Sequence, residues 1–123
     1  MSLAGVGGLG LDVVGLSRFE RLLARSPDFA ERYFTPQERH RCRAAARPSD
    51  AFATTFAVKE AWLKALGVGV LDGIALEELD VVLDRHHATI HTAGGAAARQ
   101  GARVSMAAWA RDHERAWAVV VLV

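Results

Sequence analysis

The spacing of the apolar residues changes twice along the chain, from that of a strand to that of a helix and back. Leu9, Leu11 and Val13 occupy alternate positions near the N-terminus, which is the period of a β-strand. From about residue 17 to residue 67 the apolar residues recur at helical spacing, and after residue 76 the alternation returns. This order predicts an α+β fold with an antiparallel sheet packed against a long central helix. The 123 residues predict a single domain spanning residues 1–123.

Capping signals place the first three helices. Residues 17–20 read S-R-F-E, a capping box that predicts a helix from Ser17 to about Arg25. The S-P-D segment at 26–28 offers an N-cap for a short helix over 29–34. A second capping box, T-P-Q-E at 35–38, opens a third helix that we expect to run to Ala46 and to be stopped by Pro48.

The longest predicted helix follows and has two unlike faces. We expect Ser49 or Asp50 to cap its start and Gly67 to form a left-handed C-terminal cap. One face is an apolar stripe, and the other combines two small residues with an acid and a base: Ala53, Ala57, Glu60 and Lys64. Taken alone, Glu60 and Lys64 are also explained as an exposed i,i+4 pair, which contributes about 0.2–0.5 kcal/mol.

The C-terminal half predicts the rest of the sheet. Alternation indicates strands at 76–83 and 88–92, joined by a turn at 84–87, and then at 104–108 and 116–123. A short helix is predicted at 94–100 between the two pairs. Polar residues at 109–115 are expected to form the final connection.

Composition narrows the classes of function. The net charge of +1 argues against a nucleic-acid binder, although Arg39, Arg41, Arg43 and Arg47 form a basic cluster suited to phosphate or to an acidic partner. Hydrophobic residues make up 51% before 11 glycines are counted, which favours an oligomer interface. The single cysteine, Cys42, fits a reducing, cytoplasmic location. No run is long and apolar enough for a membrane span, and we expect no signal peptide.

One charged residue stands out in the first strand. Asp12 lies within an otherwise apolar stretch, and burying an ionised carboxylate is unfavourable unless it is paired, hydrogen-bonded or bound to a metal. The simple alternative is a residue near the strand end that accepts backbone hydrogen bonds. The histidines at 86, 87 and 91 are expected to be surface residues, since a zinc site would need further ligands.

Three segments carry a resemblance to a known family. Residues 10–14 read G-L-D-V-V, residues 34–38 read F-T-P-Q-E, and residues 56–69 read F-A-V-K-E-A-W-L-K-A-L-G-V-G. Together they resemble the 4′-phosphopantetheinyl transferases, of the short holo-acyl-carrier-protein synthase type. The F-A-x-K-E-A-x-x-K segment is the specific part. The resemblance covers residues 8–70 well and the last strands loosely.

The resemblance implies transfer of the phosphopantetheine arm of coenzyme A to a carrier-protein serine. It assigns the catalytic roles to Asp12, Glu60 and Lys64, with Asp12 and Glu60 as ligands of Mg²⁺ and Lys64 directed at the phosphates. Phosphoryl chemistry relies on positioning and charge neutralisation, which explains these residue types. The general base stays open between a metal-bound water and Glu60. Lys59 is expected to be a supporting or rim residue.

The resemblance also implies binding surfaces and an assembly. Coenzyme A is expected to contact a set of basic and glycine residues: Lys64, Gly67, Gly69, Arg39, Arg43 and Arg47. An acyl or peptidyl carrier protein is expected to contact the first two helices through Arg18, Leu22, Arg25, Phe29 and Arg32, with core packing as the alternative for Leu22 and Phe29. The short members of the family form trimers with sites between subunits, so a homotrimer is expected here, in a fatty-acid or polyketide pathway.

Departures from the family pattern support a second hypothesis. Thr55 stands where an arginine usually contacts the phosphate of the coenzyme, and Ala107 and Ala108 replace a serine and a histidine. Arginines 39 to 47, or the polar segment after Ala108 including His113, are candidates to compensate. The alternative is therefore a non-catalytic or weakened homologue that acts as a carrier-protein-binding module.

Overall fold

The α+β prediction is confirmed in the computed structural model, which describes residues 5–67 and 74–123. Five strands form an antiparallel sheet, and the helices lie on one face of it. The strands are β1 (Gly8–Gly15), β2 (Leu79–Leu83), β3 (His87–Thr92), β4 (Ser105–Arg111) and β5 (Arg115–Leu122). The helices are α1 (Leu16–Arg25), α2 (Phe29–Tyr33), α3 (Pro36–Arg43), α4 (Pro48–Leu66) and α5 (Gly94–Gln100).

The strand order β1-β5-β4-β3-β2 puts the two ends of the chain side by side. Strand β1 pairs with β5 from Gly8 opposite Leu122 to Gly15 opposite Arg115. Side chains alternate between the faces of a sheet. Leu122 and Val120 therefore join Gly8 and Gly10 on the inner face, where helix α4 crosses β1 and β5.

Helix α4 is the centre of the core. Val58, Ala61 and Trp62 are fully buried, and the indole nitrogen of Trp62 donates to Gln100 Oε1 at 2.8 Å. Because this helix packs on the sheet and against α1 and α3, it is apolar around most of its circumference. The predicted cap is confirmed, since Gly67 follows the helix with φ of 72°.

The predicted starts of α1 and α4 and the predicted end of α3 are wrong. Helix α1 begins at Leu16, not Ser17, because the Leu16 amide donates to the Glu114 carbonyl at 2.9 Å and Gly15 takes the N-cap position. Helix α3 ends at Arg43, and Pro48 begins α4 instead of only ending α3. Proline is suited to the first helical position, where its missing N–H has no partner to lose. Neither Ser49 nor Asp50 is therefore the cap.

Other local predictions hold or shift by a few residues. The capping box at Thr35 is confirmed: its hydroxyl accepts from the Glu38 amide at 3.0 Å, and Glu38 Oε1 accepts from the Thr35 amide at 2.9 Å. Residues 76–78 form a 3-10 turn ahead of β2, not part of the strand. Strand β4 runs on to Arg111, so the predicted 109–115 connection shrinks to residues 112–114.

None of the described helices packs on the outer face of the sheet, which we call the open face. Its β1 and β4 positions include Leu9, Leu11, Val13 and Met106, which are 58%, 63%, 53% and 62% exposed. Such a contiguous apolar surface marks an interaction site. Within the two described ranges, no helix has the length and apolar character to cross a membrane.

Candidate functional site

The close approach of α4 to β1 positions the site. A Cβ on Gly10 would lie 1.9 Å from the Ala61 carbonyl oxygen, and a Cβ on Gly8 would lie 1.9 Å from that of Ala65. Only glycine fits at these contacts, since every other residue would force the helix away. Asp12 is two residues beyond Gly10 and shares its face of the sheet, so its carboxylate stands beside the neighbouring turn of the helix.

An ion pair joins the strand to the helix. Lys64 Nζ lies 2.9 Å from Asp12 Oδ1. The Lys64 side chain is 54% exposed and that of Asp12 only 13%. A half-exposed pair contributes about 1 kcal/mol at most. The ammonium can therefore leave Asp12 for another anion at little cost in stability.

Glu60 completes the site one turn before Lys64. Burial raises the pKa of Glu60 above its usual value, and the negative charge of Asp12 raises it further, while Lys64 opposes the change. The site therefore has two carboxylates and one partly engaged ammonium. It carries surplus negative charge, which favours the binding of a cation.

The donors at this site fit Mg²⁺. That ion is usually bound by one or two carboxylates together with phosphate oxygens and water, not by an all-protein cage. Asp12 and Glu60 supply this number of carboxylates. No group of three or more His, Cys, Asp or Glu side chains suited to a metal occurs in the described part of the chain. His86, His87 and His91 do not form such a group, and all three are exposed.

A cleft of about 440 Å³ opens from the carboxylates between β1, α1 and α4. Asp12 and Glu60 lie in its lining together with Phe56. The wall opposite them comes from α1, and its long side chains recur at helical spacing: Arg18, Arg21, Leu22 and Arg25. Three of these were predicted for partner binding. Arg21 was missed, although its i+3 spacing from Arg18 places it on the same face.

The other two predicted partner residues lie elsewhere. The ring of Phe29 packs among aromatic neighbours, with ring centroids 4.7 Å from Tyr33 and 5.7 Å from Phe19 and Phe56, so the core-packing alternative describes its contacts. Arg32 is exposed and lines a separate groove together with Arg39. The structure therefore divides the predicted docking set between two surfaces.

None of the predicted coenzyme arginines lines the cleft of its own chain. Arg39 donates to the Phe34 carbonyl at 2.7 Å, Arg43 is exposed, and Arg47 is 78% exposed and 3.8 Å from Asp50. Gly67 follows α4, and a Cβ there would meet no atom of the described residues within 4 Å. Gly69 falls outside the described residues.

The positions that depart from the family pattern face in different directions. Thr55 is 1% exposed, and its hydroxyl lies 3.7 Å from Cys42 Sγ. Ala107 is buried on the inner face, whereas Ala108, opposite His87, belongs to the open face. Arg111, two strand positions after Trp109, donates to Thr54 Oγ1 at 2.8 Å and thus ties β4 to the start of α4. This contact was not predicted.

The comparisons with known proteins cover the elements that carry the site. Residues 8–120 match the model of the 4′-phosphopantetheinyl transferase superfamily. The holo-[acyl-carrier-protein] synthase of Halorhodospira halophila is 39% identical over 121 residues, which are 96% of this chain and 96% of that protein. That of Methylobacterium sp. strain 4-46 is 41% identical over 108 residues, 86% of this chain and 80% of that protein. The match spans 63% of the length of the relatives from Geotalea daltonii and Geobacter sp. strain M21.

Solved structures of such synthases share the fold. The Neisseria meningitidis protein superposes with a TM-score of 0.83 and 27% identity, covering 96% of this chain and 98% of that one. The Helicobacter pylori protein, in complex with coenzyme A, gives a TM-score of 0.81 and 27% identity over 94% of this chain and 99% of that one. The Bacillus anthracis protein, in complex with CoA (3′,5′-ADP), gives 0.78 and 28% over 95% and 96%.

Proposed function

Because this chain belongs to the 4′-phosphopantetheinyl transferase superfamily, we propose that it is a holo-acyl-carrier-protein synthase. It would transfer the 4′-phosphopantetheine arm of coenzyme A to a serine hydroxyl of an acyl or peptidyl carrier protein. Adenosine 3′,5′-bisphosphate would be released. The observation that carries the proposal is a cleft with a basic wall that is lined by Asp12 and Glu60, with Lys64 bonded to Asp12.

Each of the three side chains has a distinct task. Asp12 and Glu60 would hold Mg²⁺, which supplies charge neutralisation at the diphosphate when it is bound. Lys64, which is half exposed and only loosely held by Asp12, would turn to a phosphate oxygen as a point charge. Glu60, which lines the cleft, would also accept the proton of the serine hydroxyl.

The basic wall of the cleft suits a carrier protein. Carrier proteins present an acidic helix beside the serine, and Arg18, Arg21 and Arg25 offer three positive charges around Leu22. Complementary charge of this kind speeds association and sets orientation. A serine delivered over this wall would enter the cleft in which Asp12 and Glu60 lie.

The assembly we propose is a homotrimer in the cytoplasm. The open face exposes Leu9, Leu11 and Val13 along one edge strand, which supports a second copy as its occupant. Arg39, Arg43 and Arg47 lie outside the cleft of their own chain and would then reach the coenzyme in the site of a neighbour. The free, buried Cys42 is consistent with a reducing compartment. A fatty-acid or polyketide pathway would use the product.

Incubation of an apo-carrier protein with coenzyme A and Mg²⁺ tests the activity. We expect the carrier protein to gain the mass of one phosphopantetheine arm, measured by mass spectrometry, and Glu60→Ala to abolish this gain while the protein stays folded. Absence of transfer to several acyl and peptidyl carrier proteins would refute the proposed activity. Full transfer by Glu60→Ala would refute the role of that carboxylate.

One set of observations favours a second candidate, a carrier-protein-binding module without catalysis. Thr55 is buried against Cys42 and presents no positive charge, and Ala107 and Ala108 present no polar side chain. A lost charged hydrogen bond weakens binding by about 1.5–3 kcal/mol. Calorimetry with coenzyme A and Mg²⁺ separates the candidates: the enzyme binds in the micromolar range, whereas the module binds only the carrier protein.

A further inference from the structure

The proposed chemistry does not use a fully buried ion pair between Glu38 of α3 and Lys59 of α4. Both side chains are 0% exposed. Lys59 Nζ donates to the Tyr33 carbonyl at 2.8 Å and to the Leu76 carbonyl at 2.9 Å, besides contacting Glu38 Oε1. An ammonium has three hydrogens to donate, so every one of them has an acceptor.

Glu38 is satisfied just as fully. Its Oε1 accepts from the Thr35 amide at 2.9 Å, and its Oε2 accepts from the Val81 amide at 2.7 Å. The pair thus joins α4 to the end of α2, the start of α3, the turn before β2 and β2 itself. Lys59, expected to be a supporting or rim residue, is an interior residue.

Stability alone is a weak reason for such a pair. Burial raises the pKa of Glu38 and lowers the pKa of Lys59, because both ions have lost their water. Apolar residues of similar volume in place of a buried ion pair are often neutral or stabilising. Directional hydrogen bonds to four neighbouring segments fix the rotation of α4 about its axis. Apolar packing does not define that rotation.

That rotation matters on the opposite side of α4. There the backbone at Ala61 and Ala65 rests on Gly8 and Gly10, a flat contact without interlocking side chains. It limits how closely helix and strand approach but does little to resist rotation. Glu60 follows Lys59 directly, about 100° further around the helix. Any rotation that moves Lys59 therefore moves Glu60 relative to Asp12.

We propose that Glu38 and Lys59 are positioning residues, which fix the rotation of α4 so that Glu60 and Lys64 stand at Asp12. The geometric part of this inference is independent of the reaction. Its catalytic part rests on the proposed function. A displacement of about 1 Å in a site of this kind can reduce turnover by roughly 100-fold.

The double variant Glu38→Gln/Lys59→Met tests the proposal, since it removes both charges, keeps similar volumes and leaves no buried ion unpaired. We expect cooperative unfolding to persist. We expect a crystal structure to show the Lys64–Asp12 contact broken, and the Mg²⁺ concentration for half-maximal transfer to rise at least about tenfold. The single variant Glu38→Gln should shift both readouts in the same direction, and it should be less stable than the double variant because it leaves the buried Lys59 without its counter-charge.

Trp62→Phe is the matched control, because it alters another fully buried side chain of the same helix and removes its hydrogen bond to Gln100. It should lower the melting temperature while leaving the Lys64–Asp12 contact and the Mg²⁺ requirement unchanged. The proposal is overturned if the double variant keeps both at wild-type values. A wild-type protein without transfer would refute the proposed function, whereas the crystallographic comparison would still decide the positioning role.

Discussion

Glu60 is held in a setting that opposes its own ionisation. It is half-buried, and the negative Asp12 stands beside it, so its pKa is raised although Lys64 lies one turn away. In the folded protein without a bound cation this carboxylate is therefore less stable, when ionised, than it is in the unfolded chain. A site arranged in this way favours cation binding at the expense of stability.

This setting makes Glu60→Gln a variant with opposite effects on activity and stability. A carboxyl whose pKa is raised on folding stabilises the fold at low pH and loses that contribution as pH rises through the folded pKa. The neutral amide removes the unfavourable charge. We expect transfer to be abolished, while the melting temperature rises above that of wild type at pH 7–8 and equals it near pH 4. Calorimetric scans at the two pH values, without added metal, measure this difference.

Glu20→Gln is the matched control, because Glu20 is an exposed carboxyl of α1. Its melting temperature should follow wild type at both pH values. A Glu60→Gln protein less stable than wild type at pH 7–8 would contradict the assigned electrostatics.

Two glycines allow β1 and α4, which carry the candidate catalytic residues, to pack closely. Gly8 and Gly10 of β1 admit the α4 backbone at Ala61 and Ala65. Asp12 continues the same strand face, and Glu60 and Lys64 continue the helix. The distance between carboxylates on two separate elements thus depends on two positions that have no side chain.

Gly10→Ala should show this dependence. The new Cβ would stand 1.9 Å from the Ala61 carbonyl oxygen, backbone that cannot rotate away, so α4 must shift. We expect a loss of stability of about 1–3 kcal/mol, typical of overpacking, together with a clear loss of transfer. Urea denaturation and the mass-shift assay measure the two effects.

Gly15→Ala is the comparison within the same strand. Among the described residues its Cβ would meet only the flexible Arg18 side chain, at 3.9 Å, and its φ is −74°, which alanine adopts freely. It should therefore lose much less stability than Gly10→Ala, no more than the roughly 1 kcal/mol typical of an unfavourable N-cap residue. If Gly10→Ala were as stable as Gly15→Ala, the close strand–helix contact would not be needed.

At the level of secondary-structure elements, the sequence predicts the helix ends that depend only on neighbouring residues. The Thr35 capping box and the Gly67 cap depend on residues within one helical turn, and both were correct. The start of α1 was misplaced because the Glu114 carbonyl, almost a hundred positions away, engages the Leu16 amide. The Glu38–Lys59 pair was likewise beyond reach from sequence, because 21 positions separate residues on two different helices.

At the scale of the whole molecule, the residues proposed to act in the reaction lie on two different surfaces. The carboxylates and the α1 arginines share the cleft, whereas Arg43 and Arg47 lie outside it. The apolar excess of the sequence predicts an oligomer interface, and large exposed apolar residues lie on the open face. The sequence does not predict which residues of two neighbouring copies that interface brings together, because this depends on how the copies are arranged in space.

Subunit mixing tests whether neighbouring chains share one site. Glu60→Ala lacks a carboxylate, and Arg43→Ala/Arg47→Ala lacks two basic groups of the opposite surface. Each should be inactive alone, because every site in a uniform trimer carries the same defect. When equal amounts are dissociated and reassembled together, roughly a quarter of the sites receive an intact half from each neighbour. Transfer should then return to about a quarter of the wild-type rate.

Mixing without reassembly, with each variant kept intact, is the control and should stay inactive. If the mixed assembly also stayed inactive while wild type regained activity after the same treatment, Asp12, Glu60 and Lys64 would not share their site with the arginines of a second chain.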